Sequence, residues 1–196
     1  MEIGVPEEPL RPTPEMVLGP FYPAGHRIGL RADLVRPEKG RLKSPLQGQP
    51  LCLNGCLLDT SHAPVPGAQV EIWQADTFGR YRHPGDQHPA PLDTSFVGHG
   101  VQRTDVQGRF HFSTLKLGAY SLAPGVMRAP HIHFQVTAGH RRLVTQMFFD
   151  GEALNASDRL LKQVRFPERL VATVQAMKTG TCVALLATWD IVLMRV

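Results

Sequence analysis

Ala68-Gln69-Val70-Glu71-Ile72-Trp73-Gln74 alternates apolar and polar side chains from Ala68 to Ile72. Side chains two apart share one face of an extended chain, so this alternation predicts a strand with one face buried. Upstream, Leu51-Cys52-Leu53-Asn54-Gly55-Cys56-Leu57-Leu58 is a second strand, and Thr60 to Gly67, with Pro64 and Pro66, is the turn region between them. Downstream, Gly79 to Phe96 carries Pro84, Pro89 and Pro91 and is a long loop. Asp105-Val106-Gln107-Gly108 then turns a hairpin into a strand from Arg109 to Ser113. His131-Ile132-His133-Phe134-Gln135-Val136 is a strand that turns at Ala138-Gly139-His140 into Leu143 to Phe149, and Cys182 to Val192 is a further strand. Asn155 to Val164 is the best helix, with Ser157 as its cap and Leu160, Leu161 and Val164 as its apolar stripe. The chain has 18 glycines and 17 prolines, or 35 of 196 residues, about 18% against a usual 12%. Short strands with this punctuation predict an all-β fold: an antiparallel β-sandwich with long Pro/Gly-rich loops and one or two short helices.

A length of 196 residues predicts a single domain over 1–196. Within it, residues 1–49 hold eight of the 17 prolines. They are expected to form an irregular N-terminal arm around a β-sandwich spanning 50–196. No stretch approaches the roughly 18 apolar residues of a membrane span, and the acidic, Pro-broken start Met1 to Glu8 is no secretory signal. Three cysteines form no disulfide framework. Cys52 and Cys56 stand about 13 Å apart along one strand, too far to bridge, and all three read as core, so a cytoplasmic location is expected. Net charge is −2 over 1–98 and +6 over 99–196. No run of five basic residues occurs, and the aromatics do not interleave with Lys and Arg, which argues against nucleic acid. The basic second half slightly favours an anionic small molecule.

His131 and His133 point to one face of their strand, with Cα atoms about 7 Å apart, so both imidazoles can reach one metal. Zinc would want a third His, a Cys or a carboxylate, and no acidic residue lies between Asp105 and Asp150. Tyrosine is scarce: Tyr22, Tyr81 and Tyr120 each sit in a Gly- or Pro-rich context. A phenol, of pKa about 10, is a poor ligand for most divalent metals. Ferric iron is hard and highly charged and favours anionic oxygen.

Several stretches together resemble a known family, the intradiol ring-cleaving dioxygenases, and above all its protocatechuate 3,4-dioxygenase type. They are Gly19-Pro20-Phe21-Tyr22-Pro23, Pro64 to Asp76, Gly79-Arg80-Tyr81-Arg82-His83, and Thr104-Asp105-Val106-Gln107-Gly108-Arg109-Phe110. Arg128 to Phe134, Thr145-Gln146-Met147-Phe148-Phe149 and Trp189 to Leu193 complete the set. The resemblance runs from about Gly19 to about Leu193. It implies a catalytic, beta-like chain whose ferric iron, a non-haem centre, is held by Tyr81, Tyr120, His131 and His133. It places the family's active-site arginine at Arg128 and its glutamine at Gln146. The segment around Tyr120 departs from the family's Pro-Gly-x-Tyr-Pro, and Ser121 to Met127 forms a short loop without tryptophan, which leaves the ring substituent open.

The implied activity takes a catechol and dioxygen as small-molecule substrates and opens the ring between the hydroxyl-bearing carbons to a muconate-type diacid. Tyr120 leaves the metal and serves as a base, Arg128 stabilises developing negative charge, and Gln146 orients substrate or Arg128. The family's habits imply a homo-oligomer or a heteromer with a related subunit. Tyr22, Arg82 and His83 have no assigned role. His99 and His111, in the first hairpin, are expected to be structural. Two other readings stand beside this one. Residues 51–120 also look like a non-enzymatic prealbumin-like or collagen-adhesin-type module, and the two histidines suit a cupin-type or zinc protein.

Overall fold

The computed structural model describes residues 8–23, 29–35, 47–123, 125–179 and 182–194. Among the described residues eleven strands form in order: β1 (Pro50–Asp59), β2 (Gln69–Trp73), β3 (His99–Arg103), β4 (Arg109–Leu115), β5 (Tyr120–Ala123) and β6 (Val126–Arg128) come first. β7 (His131–Ala138), β8 (Arg141–Phe149), β9 (Val171–Thr179), β10 (Cys182–Thr188) and β11 (Ile191–Leu193) follow. β1 alternates buried and exposed positions, as the half-buried pattern requires. β7 is buried on both faces from His131 to Phe134, so its histidines face protein and not solvent.

Among the described residues nine strands make one sheet in the order β11-β1-β10-β9-β8-β7-β2-β3, with β4 also paired to β1, while β5 and β6 form a separate hairpin. The all-β class holds. The sheet is mixed, however, because β1 pairs in parallel with β10 and β11, and β8 pairs in parallel with β9. The expected purely antiparallel pairing fails at these three ladders: two join β1 to the end of the chain, the third joins consecutive strands through the turns and helix between them, and none leaves a mark in any one strand's pattern.

Three local expectations change. The turn at 105–108 forms, but β3 and β4 lie at opposite ends of the strand order and are not ladder partners. The arm bridges that gap: Arg31 pairs with Val101 on β3, Asp33 pairs with Ser113 on β4, and Leu34 is fully buried between them. The helix is shorter than expected, α1 (Arg159–Gln163), preceded by a 3-10 turn over Ala153–Ala156. Its cap is Asp158, not Ser157, because the Asp158 carboxylate accepts from the amides of Leu160 and Leu161. The stretch Cys182 to Val192 breaks at Trp189-Asp190 into β10 and β11, and part of the expected 121–127 loop is the β5–β6 hairpin.

One core unites the sheet, with Trp73, Phe112, Phe134, Phe148 and Phe149 among its largest buried side chains. Cys52 and Cys56 are half-buried and free, so they are not core residues as expected; the Cys182 side chain lies outside the described set. Among the described residues no helix is long and apolar enough to cross a membrane.

Candidate metal centre

Three adjacent strands set the floor of the site. Trp73 on β2, His133 on β7 and Gln146 on β8 stand in one cross-strand row, and His131 pairs with Phe148 one step along. His131 and His133 are buried, 0% and 3% exposed, on the same face of β7. The Nδ1–H of His131 donates to the Ala129 carbonyl at 2.7 Å, which leaves Nε2 as the lone-pair nitrogen. That Nε2 lies 3.3 Å from His133 Nε2. Burial and the nearby Arg128 charge lower the His131 pKa to about 3. Burial, His131 and Arg128 also hold His133 well below its usual value. Both rings are therefore uncharged and carry lone pairs.

Tyr81 lies on a loop and Tyr120 opens β5, and the segments that lead to them lock together. Gly79 and Gly118 each stand two residues before a tyrosine. A Cβ on Gly118 would lie 2.4 Å from the Thr77 carbonyl oxygen. One on Gly79, where φ is +83°, would lie 2.6 Å from the Ala119 oxygen. Only the missing side chains allow this approach. Asp76, not singled out from the sequence, organises the first loop: its carboxylate accepts from the amides of Phe78, Arg80 and Asp93. Its carbonyl accepts from Gly79 and Gly118, so it ties both tyrosine loops. The signal for it was the Asp-Thr-Phe-Gly turn composition. The result is Tyr81 edge-on to Tyr120 at 5.7 Å between ring centres, Tyr81 6.1 Å from His133, and Tyr120 5.6 Å from His131.

All four expected ligands thus meet at one place. Among the described residues no third His, Cys, Asp or Glu joins the two histidines in a ligating cluster, and the two phenols are the oxygen groups that stand beside them. The donor set fits one hard cation. Two nitrogens about 2.1 Å from one metal stand roughly 3–3.4 Å apart, which matches the observed 3.3 Å. The buried Tyr81 hydroxyl and His133 Nδ1 have no hydrogen-bond partner. Burial pushes Tyr81 well above the usual phenol pKa, with Tyr120 adding to it. Burial also raises Tyr120, although Arg128 pulls the other way. Phenols so placed ionise only with a strong positive charge among them.

Arg128 is 4% exposed and fixed on both sides. Its Nε donates to Asp158 Oδ2 at 2.8 Å and an Nη donates to Gln146 Oε1 at 2.7 Å. Gln146 Nε2 donates in turn to the Val17 carbonyl on the arm. Asp158, another residue that the sequence did not single out, also accepts from the Ala129 amide. Burial pushes its pKa up, but the bonds from Arg128 and the amides outweigh that and keep it below the usual carboxylate range.

Around the ligands, Trp73 stacks parallel on His133 at 4.9 Å, and Phe21 leans on Tyr81 at 4.8 Å. Tyr22 packs edge-on to Trp73 and donates to Glu71, so its role is packing. Arg82 donates to the carbonyls of Phe96, Asp93 and Thr94 and holds the loop. His83 Nδ1 accepts from Gly85 in a local turn. His111 lies beside Gln102 at the surface. A cavity of about 400 Å³ opens where Tyr120, Pro20, Phe21 and Leu122 come together. The basic excess of the second half goes elsewhere. Arg141 and Arg142 sit at the start of β8, and Arg159, Lys162, Arg165 and Arg169 lie on α1 and after it; none lines this cavity.

The fold is an all-β one, a mixed sheet that brings two histidines of one strand against Tyr81 and Tyr120. A family model described as dioxygenase matches residues 17–195. The chain is 40% identical to the protocatechuate 3,4-dioxygenase beta chain of Burkholderia cepacia over 166 residues, 80% of this chain and 69% of that one. It is 31% identical to catechol 1,2-dioxygenase of Acinetobacter baylyi, covering 74% of this chain but only 49% of that protein, so it spans about half of that relative. The solved dioxygenase domain of a carbohydrate-binding fusion protein from Streptomyces sp. SirexAA-E superposes with a TM-score of 0.68 at 30% identity, covering 95% of this chain and all of that one. The chain belongs to the intradiol ring-cleaving dioxygenases. The relatives favour this reading over the non-enzymatic module.

Proposed function

We propose that this chain holds one ferric iron through Tyr81, Tyr120, His131 and His133 and cleaves a catechol ring between its two hydroxyl-bearing carbons. Both atoms of dioxygen enter a muconate-type diacid. The single observation that carries this is the meeting of two uncharged imidazole Nε2 atoms, 3.3 Å apart, beside two buried phenols. When bound, the iron supplies Lewis acidity to the catechol oxygens and the electron delocalisation that opens the ring to dioxygen.

The chain's own groups do the rest. Tyr120 borders the cavity and Tyr81 lies deeper, so Tyr120 is the phenol that substrate meets first. Its Oη takes a catechol proton as general base, and the Arg128 charge beside it favours the phenolate that this needs. Arg128, held by Asp158 and Gln146, presents a fixed positive charge to the reacting ring. Gln146 acts through Arg128 as a positioning residue. His131 and His133 stay in place, the first oriented by the Ala129 carbonyl. The arm and the sheet serve as a single domain around this centre.

The relative from Burkholderia cepacia is by name a beta chain, which supports assembly of this chain with itself or with a related subunit. The free thiols Cys52 and Cys56 support a cytoplasmic location.

The test is the visible spectrum of aerobically purified protein with an iron assay. A burgundy tyrosinate-to-ferric band at one iron per chain is expected, and Tyr81→Phe and Tyr120→Phe should each shift or remove it. Adding catechol in air should change the colour and consume dioxygen. A colourless protein that stays so after ferrous loading in air overturns the reading.

A further inference from the structure

We propose that the cavity beside Tyr120 selects catechols whose ring substituent is uncharged and rejects those that carry a carboxylate. This rests on the iron site proposed above, because it takes the substrate ring to stand against Tyr120. Pro20, Phe21, Pro89 and Leu122 supply apolar walls to the cavity, and Asp86 is the one charged side chain among its described lining residues. Its volume, about 400 Å³, leaves room for a substituent beyond the bare ring.

Asp86 cannot turn away. One carboxylate oxygen accepts from the Tyr81 amide at 2.6 Å and the other from the His88 amide at 2.8 Å. A substrate carboxylate here would lose water against Phe21 and the prolines and face a fixed like charge. Among the described residues the arginines nearest the ligands do not answer it. Arg128, whose charge is directed at the reacting ring, is shared with buried Asp158 and does not line this cavity. Arg82 is committed to the carbonyls of Phe96, Asp93 and Thr94, and Arg80 to that of Ala90. A methyl, halogen or other neutral substituent meets none of these costs and gains contact with Leu122 and Phe21.

The test compares kcat/KM for dioxygen uptake by the iron-loaded chain with catechol, 4-methylcatechol and protocatechuate. The two neutral substrates should be favoured by roughly tenfold or more. Leu122→Arg puts a cation on the cavity wall and should narrow that preference by about the same factor while the burgundy band is kept. Should that variant fail to fold, Leu122→Lys and the dissociation constants from colour titration of the unsubstituted chain give the same comparison. A coloured, active chain that prefers protocatechuate overturns this inference and leaves the iron site standing. A colourless chain with no turnover of any catechol overturns both.

Discussion

A Cβ at Gly19 would stand 3.0 Å from His133 Cε1, and the backbone there has φ +77°. An alanine at this position costs about 1–2 kcal/mol for the left-handed backbone alone. It also presses on a ring already in contact with Trp73, Tyr81 and His131, which has little room to yield. Gly19→Ala should therefore lower the melting temperature by about 2–8 °C and reduce the iron held per chain. Both are read on one preparation, by calorimetry and by iron assay. A lower melting temperature with full iron and an unchanged visible band would show that His133 does not bind the metal. The same residue-scale logic explains what the sequence displayed. His131 and His133 were legible because a strand's period of two forces them onto one face. Tyr81 lies on a loop and Tyr120 at the first residue of short β5, where no period marks a face; their scarcity drew notice to all three tyrosines, and the resemblance chose these two. Trp73 was not singled out, because its stacking on His133 exists only once β2 stands beside β7.

Helix α1 is only five residues long, and its first turn is what matters. Asp158 caps it with one oxygen and binds Arg128 and the Ala129 amide with the other. Asp158→Ala removes the cap and leaves a buried guanidinium unpaired, at a cost of roughly 3–5 kcal/mol. Asp158→Asn keeps an acceptor for the cap but loses the charge. The folded-state pKa of Asp158 is lowered, so its contribution is complete above about pH 4, the usual Asp value, and is lost as pH falls through the lower folded value. Urea unfolding of the native chain and Asp158→Asn should differ most near neutral pH and converge in acid. A gap independent of pH would mean that the carboxylate's charge is irrelevant to the fold. Ser157 and Asp158 are equally good caps by residue type. The choice between them depends on where the helix begins, which the apolar stripe alone does not fix. Strands β1, β2, β7 and β8 were legible for the opposite reason, since β1 and β2 show an alternating apolar face and β7 and β8 carry apolar runs that must be buried. β5 and β6 were not, being short and largely exposed, and the break at Trp189-Asp190 is set by the chain beside it: Trp189 donates its amide to Asn54, and Asp190 accepts from Cys56.

Across the whole molecule the arm does two separable things. Residues 31–34 bridge β3 and β4, with Arg31, Ala32 and Leu34 exchanging backbone hydrogen bonds with Val101 and Ser113. Residues 17–22 instead reach the site. The Val17 carbonyl holds Gln146, Gly19 abuts His133, Phe21 leans on Tyr81, and Tyr22 packs on Trp73. Before both segments, the Thr13 and Met16 amides donate to the carbonyls of Val192 and Val144, which fixes the arm's course over β11 and β8. Parallel ladders and an arm stitched to distant strands are long-range pairings, and the local pattern of a sequence does not encode them. Deleting residues 1–22 should therefore spare the sheet and damage the centre. Circular dichroism should keep its β signal, because the 31–34 bridge and the core remain. The melting temperature should fall by several degrees for the lost contacts of Thr13, Met16 and Phe21. Iron retention and catechol turnover should fall by much more, since four contacts to site residues go at once. If the shortened chain melts lower yet holds a full iron with an unshifted band, the arm supports only the sheet, and Gln146 and His133 keep their places without it.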